Sequence, residues 1–524
     1  MRPDSNFVTE IFHRRSGEEC VVDGGLLVRL GGMILDRRHL EKVLDTGLPP
    51  EVGGVAGVTH DSRAVEPGYA FVAVPGFKRD GLEFADEAVR RGASLVVAER
   101  NAPGRAFPVA VVPDARLALA ALAVAVYGEP SESLEVYGVT GTNGKTTTAY
   151  ALYGILAGAY GEDSCGLMTT AETISGGGRR PAGRTTPEAV EVQGLLAEML
   201  GKGVRRVVME VSSHGVALER VTGTRFAGAI FTNLTRDHLD LHGTMEKYYE
   251  AKRELFYRAE GPKLANADDG WGRRLSGEVE GVTTFGHAED ADYRITGVRP
   301  TRRGTALDLV HPDGVLGLET PLLGDYNVLN VAGASALALA VGVEGPALEA
   351  AVREMGQVPG RFERVATGRG FEVIVDYAHT DVGLAAVLEV ARATATKNGE
   401  GRVICVFGAA GDRDGAKRPL MGRVAEKLAD RSIITTDDAY SEDPAKIARE
   451  VAFGMRSGRA EVLLDRRTAI RAAIQGAREG DVVVVAGKGH ERVQHLPEGD
   501  VPFHDASVVG EILEELGETV EREG

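Results

Sequence analysis

Short apolar runs alternate with longer segments rich in alanine, leucine and glutamate along most of this chain. The runs span four to seven residues and include SLVVAE, LEVYGVT, RRVVMEV, AGAIFTNL, EVIVDYA, RVICVFG, DRSIITT and DVVVVAG. Short buried strands separated by helices are typical of α/β domains with largely parallel sheets. Because ligands bind beyond the carboxyl ends of such strands, the polar residues that follow these runs are candidate site residues.

Two interruptions divide this pattern. At roughly 100 to 200 residues per domain, the 524 residues predict about three domains. Proline and serine break the pattern at YGEPSESLEV (127–136), and GQVPGRFERV (356–365) follows an alanine-rich helix. We expect domains at about 1–130, 131–357 and 358–524, with residues 1–32 as an extension of the first.

Composition narrows the class of protein. The longest apolar run, residues 117–127, is shorter than the roughly 18 residues that span a bilayer, and the first thirty residues contain no secretory apolar region. Only Cys20, Cys165 and Cys405 occur, without a Cys-x-x-Cys pair, which favours a reducing cytoplasm. The formal net charge of -17 repels polyanions. We expect a cytoplasmic protein with neither a membrane nor a nucleic acid as partner.

The segment LEVYGVTGTNGKTTTAYALYGIL has the order strand, glycine turn, helix that a phosphate-binding loop requires. Its backbone N–H groups would hold phosphates, while Lys145 would reach the β and γ oxygens and Thr146 would ligate Mg2+. The usual spacing would put glycine at Val139, so an ordinary strand-to-helix turn is the alternative. The loop alone does not distinguish a motor, kinase, GTPase, transporter or ligase.

Two further strands end in candidate site residues. MEVSSHGVALERV places Glu210 at a strand end, and FTNLTRDHLDLHGT places Asn233, Asp237 and His238 just past another. Phosphate-loop ATPases hold their metal with a carboxylate on a neighbouring strand, so Glu210 is a predicted Mg2+ ligand. By themselves, His238 and His242 fit a solvated or hydrogen-bonded pair equally well.

Lys252 lies in TMEKYYEAKRELFYR, on the apolar face of a predicted helix with Tyr248, Tyr249, Leu255 and Phe256. Its ammonium could extend along that face to solvent. Alternatively, burial lowers its pKa, and the neutral amine reacts with CO2 to form a carbamate that binds a second Mg2+.

Nine segments in this order resemble the Mur ligase family over roughly residues 33–510: THDSR, AFVAVPGFKRDG, GTNGKTT, EVSSH, TNLTRDHLDLHGTMEKYYEAK, LLGDYNVLN, VDYAHT, FGAAGDRDGAKRP and GKGHE. The resemblance implies a UDP-binding α/β domain, a central ATPase domain with a mostly parallel sheet, and a Rossmann-like third domain. It also implies a monomeric, ATP- and Mg2+-dependent ligase that adds lysine or meso-diaminopimelate to UDP-N-acetylmuramoyl-L-alanyl-D-glutamate, a step of peptidoglycan precursor synthesis.

The resemblance also implies roles for residues of this chain. The residues that bind ATP would be Gly141, Thr142, Asn143, Gly144, Lys145, Thr146, Thr147, Asn233, Asn327, Arg361 and Asp376. Those that bind the UDP substrate would be Ser62, Phe77, Lys78, Arg79, Thr185, Thr186, Ser212 and Arg220. The metal ligands would be Thr146, Glu210, His238 and carbamylated Lys252, and the catalytic residues Lys145, Lys252, His238 and Glu210. The amino acid would contact Arg413, Asp437, Asp438, Ala439, Tyr440, Gly487 and Glu491.

Some of these residues also fit simpler roles. Alone, Asn327 fits a helix cap, Arg361 a surface charge and Asp376 a strand-end carboxylate, while the first domain fits a small α/β unit with a charged loop.

The segment DDAY (437–440) bears on the choice of amino acid. Family members that add meso-diaminopimelate usually have Asp-Asn-Pro-Arg there. Tyr440 lacks the charged fork that binds a carboxylate, and the extra Asp438 favours an ammonium, so the sequence favours lysine.

The implied chemistry activates a carboxylate. The γ-phosphoryl group of ATP passes to the D-glutamate carboxylate, and the amine attacks the acyl phosphate, with two Mg2+ ions and Lys145 countering charge repulsion. Two alternatives remain. A folylpolyglutamate synthase would lack the UDP-binding domain that THDSR and GFKRDG indicate, and a regulatory phosphate-loop ATPase would leave GDRD and GKGHE unexplained.

Overall fold

The structure is a computed structural model that describes residues 34–76, 79–397, 399–456 and 460–523. Phe77, Lys78 and the predicted extension at 1–32 lie outside the described residues. Three main β-sheets follow one another along the chain, each with its own helices, as expected for three α/β domains. The predicted boundaries near residues 131 and 358 stay predictions. Within the described residues, no helix has the length and apolar content needed to cross a membrane.

The first sheet has four parallel strands in sequence order. Its strands are β3 (Gly57–Thr59), β4 (Tyr69–Val72), β5 (Leu95–Ala98) and β6 (Val109–Val111), preceded by the pair β1 (Leu35–Asp36) and β2 (Gly54–Val55). The helices are α1 (Arg37–Leu44), α2 (Ala85–Arg90) and α3 (Ala115–Val126). Asp114 caps the N-terminus of α3, where its side chain accepts the N–H groups of Arg116 and Leu117.

The second sheet has eleven strands in the order β10-β9-β8-β11-β7-β12-β13-β14-β15-β16-β17. Their bounds are β7 (Glu135–Thr140), β8 (Cys165–Met168), β9 (Glu172–Ser175), β10 (Gly178–Pro181), β11 (Arg206–Glu210), β12 (Gly228–Phe231), β13 (Lys263–Asn266), β14 (Val282–Gly286), β15 (Tyr293–Pro300), β16 (Thr305–His311) and β17 (Gly314–Thr320). The helices are α4 (Lys145–Tyr160), α5 (Ala189–Gly201), α6 (Ser213–Ala217), α7 (Leu239–His242), α8 (Met245–Arg258), α9 (Gly270–Glu278), α10 (Asp325–Ala340) and α11 (Gly345–Arg353).

Strand β7 lies between β11 and β12, and all three are parallel. The residues after these strands therefore meet at one edge of the sheet. The antiparallel strands β9–β10 and β16–β17 at the two ends of the sheet were not predicted. Strand β10 is fully exposed and β17 is exposed at three of its seven residues, which explains why neither forms a continuous apolar run.

The third sheet has six strands in the order β18-β19-β23-β20-β21-β22, parallel except for the β18–β19 pair. The strands are β18 (Glu363–Val365), β19 (Glu372–Asp376), β20 (Val403–Phe407), β21 (Arg431–Ile434), β22 (Glu461–Val462) and β23 (Val482–Ala486), followed by the hairpin β24 (Val493–Leu496) and β25 (Gly499–Pro502). The helices are α12 (Asp381–Lys397), α13 (Arg418–Leu428), α14 (Pro444–Ala452), α15 (Arg466–Gly476) and α16 (Asp505–Glu523).

Strand β23 is fully buried and was predicted from DVVVVAG. It inserts between β19 and β20, so the strand order reverses beside it and a crevice opens at the strand ends. The other seven predicted apolar runs also form strands, namely β5, β7, β11, β12, β19, β20 and β21.

Candidate active site

The loop between β7 and α4 requires glycine at two positions. Gly141 has a φ of +150° and Gly144 a φ of +84°. A Cβ atom at Gly141 would clash with Thr232 Oγ1, and one at Gly144 would clash with Asn330 Oδ1. Val139, where the usual motif has glycine, is a fully buried strand residue. The glycines of this loop thus lie at the positions where Thr232 and Asn330 leave no space for a side chain.

Residues after β12 hold this loop in place. Asn233 Oδ1 accepts the Asn143 N–H at 2.9 Å, and Thr232 Oγ1 donates to the Asn143 carbonyl at 2.6 Å. Lys145 Nζ donates to the carbonyls of Gly141 and Thr142 at 3.0 and 2.8 Å, and burial lowers its pKa. The loop is therefore ordered by its own neighbours, with the partly buried Lys145 ammonium beneath it.

Glu210 ends β11, directly opposite Val139 of β7. Its carboxylate accepts the Thr170 N–H at 3.0 Å, and the Thr170 hydroxyl donates to Thr185 Oγ1 at 2.8 Å. Thr186 Oγ1 donates to the Glu210 carbonyl at 3.0 Å. Glu210 is thus linked to the paired threonines predicted to bind the UDP substrate.

The other predicted UDP-substrate residues divide between two places. Ser212 and Arg220 lie beside the threonines, where Arg220 donates to the Thr186 carbonyl at 3.1 Å. Ser62 is buried and donates to Glu87 at 2.9 Å, and the exposed Arg79 pairs with Glu83. Neither Ser62 nor Arg79 lines the clefts described below.

Lys252 lies on α8, and its side chain is 1% exposed. Nζ donates to the Gly141 carbonyl at 2.7 Å and lies 4.6 Å from the centre of the Tyr248 ring. Burial, aided by the charge of Lys145, lowers the pKa of Lys252 well below its usual value. The alternative in which this ammonium reaches solvent is therefore wrong.

His238 has a φ of +51° and lies in a group of rings. Its imidazole is 4.8 Å from that of His214 and 6.0 Å from the Tyr248 ring, between centroids. Partial burial lowers its pKa to about 4, although neighbouring Asp237 opposes this shift. His238 is thus neutral at physiological pH. The sequence pattern did not predict a role for His214, which ends the segment EVSSH.

The predicted metal ligands fit Mg2+ only with help from a substrate. Within the described residues, no group of three or more His, Cys, Asp or Glu side chains is arranged to hold a metal ion. Thr146 and Glu210 offer a hydroxyl and a carboxylate next to a phosphate loop. Mg2+ typically takes one or two such protein ligands and completes its shell with phosphates and water.

A cavity of about 280 Å3 adjoins the phosphate loop. Of the predicted ATP-binding residues it is lined by Asn143, Gly144, Thr147, Asn233, Asn327, Arg361 and Asp376. Arg361 donates to Thr146 Oγ1 at 3.2 Å, which rules out a simple surface charge. The Asp376 carboxylate accepts the N–H groups of Phe362 and Ala378, and burial raises its pKa. Phe285, Tyr326 and Asn330 also line the cavity but were not predicted.

A larger cleft, of about 850 Å3, separates the central and third domains. His214, Asp237 and His238 line its central side. The third domain contributes six of the seven residues predicted to bind the amino acid, namely Arg413, Asp437, Asp438, Tyr440, Gly487 and Glu491. Ala439 is fully buried in the core of the third domain and does not line the cleft, so its proposed contact with the amino acid stays a prediction.

Asp438 does not point freely into this cleft. Its Oδ1 accepts the Lys488 ammonium at 2.8 Å and the His495 N–H at 2.9 Å. Lys488 also donates to Glu491 Oε2 at 2.8 Å, while burial raises the pKa of Glu491 to about 6. Tyr440 stacks on His495 at 5.1 Å between ring centroids. Lys488 and His495 were not predicted, since no local pattern links them to DDAY.

Three family models match the chain. They are the Mur ligase family catalytic domain over residues 54–127, the Mur ligase middle domain over 139–338 and the Mur ligase glutamate ligase domain over 360–489. The chain belongs to the Mur ligase family. It is therefore an ATP-dependent, amide-forming ligase, and the alternative of a non-catalytic ATPase is wrong.

Relatives and solved structures agree with this assignment. UDP-N-acetylmuramoyl-L-alanyl-D-glutamate–2,6-diaminopimelate ligases from Solibacter usitatus (strain Ellin6076) and Aquifex aeolicus (strain VF5) are each 42% identical to the chain. These matches cover 90% and 88% of this chain, and 96% and 94% of the relatives. A solved ligase of the same name is 29% identical, with a TM-score of 0.63 over 93% of this chain and 100% of that chain.

A more distant match shares the fold alone. It is a folylpolyglutamate synthase from Mycobacterium tuberculosis complexed with ADP and AMPPCP, at 18% identity and a TM-score of 0.56. It covers 70% of this chain and 91% of its own.

We predict that Gly144→Ala weakens ATP binding roughly tenfold or more, because the methyl group meets Asn330 and displaces the loop. Titration of a fluorescent ATP analogue measures this. Gly203→Ala is the matched control, since Gly203 has a φ of +87° with open space around its Cβ position. Equal affinities for both variants would contradict the prediction.

Proposed function

We propose that this ligase joins a diamino acid to UDP-N-acetylmuramoyl-L-alanyl-D-glutamate, in peptidoglycan precursor synthesis. The observation that carries the proposal is the 850 Å3 cleft between the two domains. His238 lies on its central-domain wall, and polar side chains that could bind an amino acid lie on its third-domain wall. The names of relatives 42% identical to the chain support the same substrate pair. The protein would act in the cytoplasm as a monomer.

In this proposal the phosphate loop and the cleft perform successive steps. The γ-phosphoryl group of ATP passes to the D-glutamate carboxylate, and the amine of the diamino acid attacks the resulting acyl phosphate and expels phosphate. Lys145, which lies beneath the loop, stabilises charge on the transferring group. Thr185, Thr186, Ser212 and Arg220 would hold the peptide end of the substrate near Glu210. The roles proposed for Ser62, Phe77, Lys78 and Arg79 at the UDP end rest on the resemblance alone.

Thr146 and Glu210 would hold Mg2+, which would supply charge neutralisation between the anionic reactants. Lys252 would hold a second ion as a carbamate. Two observations support this modification: the amine is buried beside the loop, and its lowered pKa favours the neutral form that reacts with CO2. His238 would complete the ligand set, since its imidazole is neutral and lies close to the Tyr248 ring, which Lys252 Nζ also contacts.

Lys252→Ala should lower kcat at least a hundredfold, because the missing carbamate removes one charge-neutralising group. Added bicarbonate should not restore activity, whereas a short carboxylic acid should restore part of it by occupying the space left by the side chain. Lys247→Ala, an exposed lysine on the same helix, is the control. Full activity of Lys252→Ala would contradict the carbamate role.

For the diamino acid we propose lysine, although the relatives are named for diaminopimelate. Among the described residues, seven acidic and three basic side chains line the large cleft, an excess that favours the more cationic of the two amino acids. Tyr440 also offers a neutral hydroxyl where diaminopimelate ligases of this family have a guanidinium. The argument from Asp438 is weaker than the sequence suggested, since Lys488 neutralises this carboxylate.

The proposal is tested by incubating the purified protein with ATP, Mg2+ and UDP-N-acetylmuramoyl-L-alanyl-D-glutamate and measuring phosphate release. Amide formation is measured by mass spectrometry with L-lysine, D-lysine, meso-diaminopimelate and ornithine. We expect L-lysine to have the highest kcat/KM. A preference for meso-diaminopimelate would refute the choice of lysine, and amide formation only with folates and glutamate would refute the substrate class.

Tyr440→Arg should shift the preference toward meso-diaminopimelate by roughly tenfold or more in the ratio of kcat/KM values, because a guanidinium can pair with the distal carboxylate. Tyr440→Phe is the matched control, which removes only the hydroxyl. An unchanged ratio in Tyr440→Arg would show that this residue does not contact the distal end of the amino acid.

A further inference from the structure

Lys488 is a fully buried lysine that joins two loops of the third domain. Its Nζ donates to Asp438 Oδ1, on the loop after β21, and to Glu491 Oε2, on the loop after β23, both at 2.8 Å. Both acids line the large cleft, whereas Lys488 itself does not. A charged side chain behind the wall of the cleft thus contacts two of the acids in that wall.

A third acid lies in the same group. A Cβ atom at Gly487 would clash with the Asp437 carboxylate, so the two loops meet without space for a side chain between them. Burial opposes the charge of Lys488, but Asp437, Glu491 and Asp438 outweigh it and raise the pKa. Lys488 is therefore charged at neutral pH and offsets one of three neighbouring negative charges.

The two acids that Lys488 contacts differ in how far their carboxylate oxygens are accessible from the cleft. Asp438 Oδ1 also accepts the His495 N–H at 2.9 Å, and only 7% of the Asp438 side chain is exposed. The Glu491 side chain is 30% exposed, and Lys488 contacts one of its two oxygens. Glu491 is thus the acid that can accept a hydrogen bond from a ligand in the cleft.

We infer that Lys488 is a positioning residue for the diamino acid, which clamps the two loops together and aims Glu491 at a substrate ammonium. The inference rests on the proposed function, because it assumes that the cleft binds a diamino acid. Lys488 does not itself touch the substrate. Without it, three carboxylates would repel one another, and Glu491 would lose the contact that fixes its direction.

The contacts of Lys488 differ from those of another buried ion pair in the third domain. Arg466 and Asp505 are both fully buried and bond to each other at 2.7 Å. Neither lines the cleft, so this pair has a structural role. In the Lys488 group, by contrast, the acids are the cleft wall, and the position of the cation determines which acid can contact a ligand.

The test is Lys488→Met, assayed for the separate KM values of the diamino acid, ATP and UDP-N-acetylmuramoyl-L-alanyl-D-glutamate. We expect the KM of the diamino acid to rise roughly tenfold or more while the other two change less than about threefold. Arg402→Met is the matched control, because Arg402 pairs with buried Asp481 at the opposite ends of β20 and β23. It should leave all three KM values nearly unchanged.

Asp438→Asn provides a second variant, in case Lys488→Met does not fold. The amide keeps an oxygen for the His495 N–H but weakens the hold on Lys488, so the same selective rise is expected. An unchanged KM for the diamino acid in either folded variant, or a parallel rise in all three KM values, would overturn the inference. If the wild-type protein forms no amide with any diamino acid, the proposed function fails instead.

Discussion

Two lysines share one backbone carbonyl, and the organisation of the site follows from this contact. Lys145 and Lys252 donate to the Gly141 oxygen at 3.0 and 2.7 Å. Their charges repel each other, and burial lowers the pKa of both. Among the described residues, neither Nζ has a carboxylate within ion-pair distance. The carbonyl groups of Gly141 and Thr142 compensate positive charge on these lysines poorly, so the region favours an anion such as a phosphate.

The sheet order makes this contact possible. Gly141 directly follows strand β7, and β11 and β12 on either side bring Glu210 and Asn233 to the same edge. The third domain reaches the same loop through Arg361, which donates to Thr146 and lies 4.4 Å from the centre of the Tyr377 ring. Both domains therefore contribute groups to the phosphate loop, as a reaction that must exclude water requires.

The sequence predicted local features such as buried strands, but it did not predict contacts between residues that are far apart along the chain. Buried strands form continuous apolar runs, and the position of Lys252 on an apolar helix face left burial and extension to solvent as alternatives, of which the structure shows burial. In contrast, the exposed β10 has no such run. Asp438 was interpreted as free to bind an ammonium, but Lys488, fifty residues later, already occupies it. Sequence periodicity identifies buried positions, whereas the partner of a buried charge depends on how the loops pack.

The charges at the two ends of the site have opposite signs, and this asymmetry is consistent with the proposed reaction. Lys145 and Lys252 lie at the phosphate loop, where ATP and the D-glutamate carboxylate would bring negative charge. Asp437, Asp438 and Glu491 lie on the third-domain wall of the cleft, where a diamino acid would bring ammonium groups. A substrate with a cationic end is thus drawn toward the acidic wall, and anionic reactants toward the lysines.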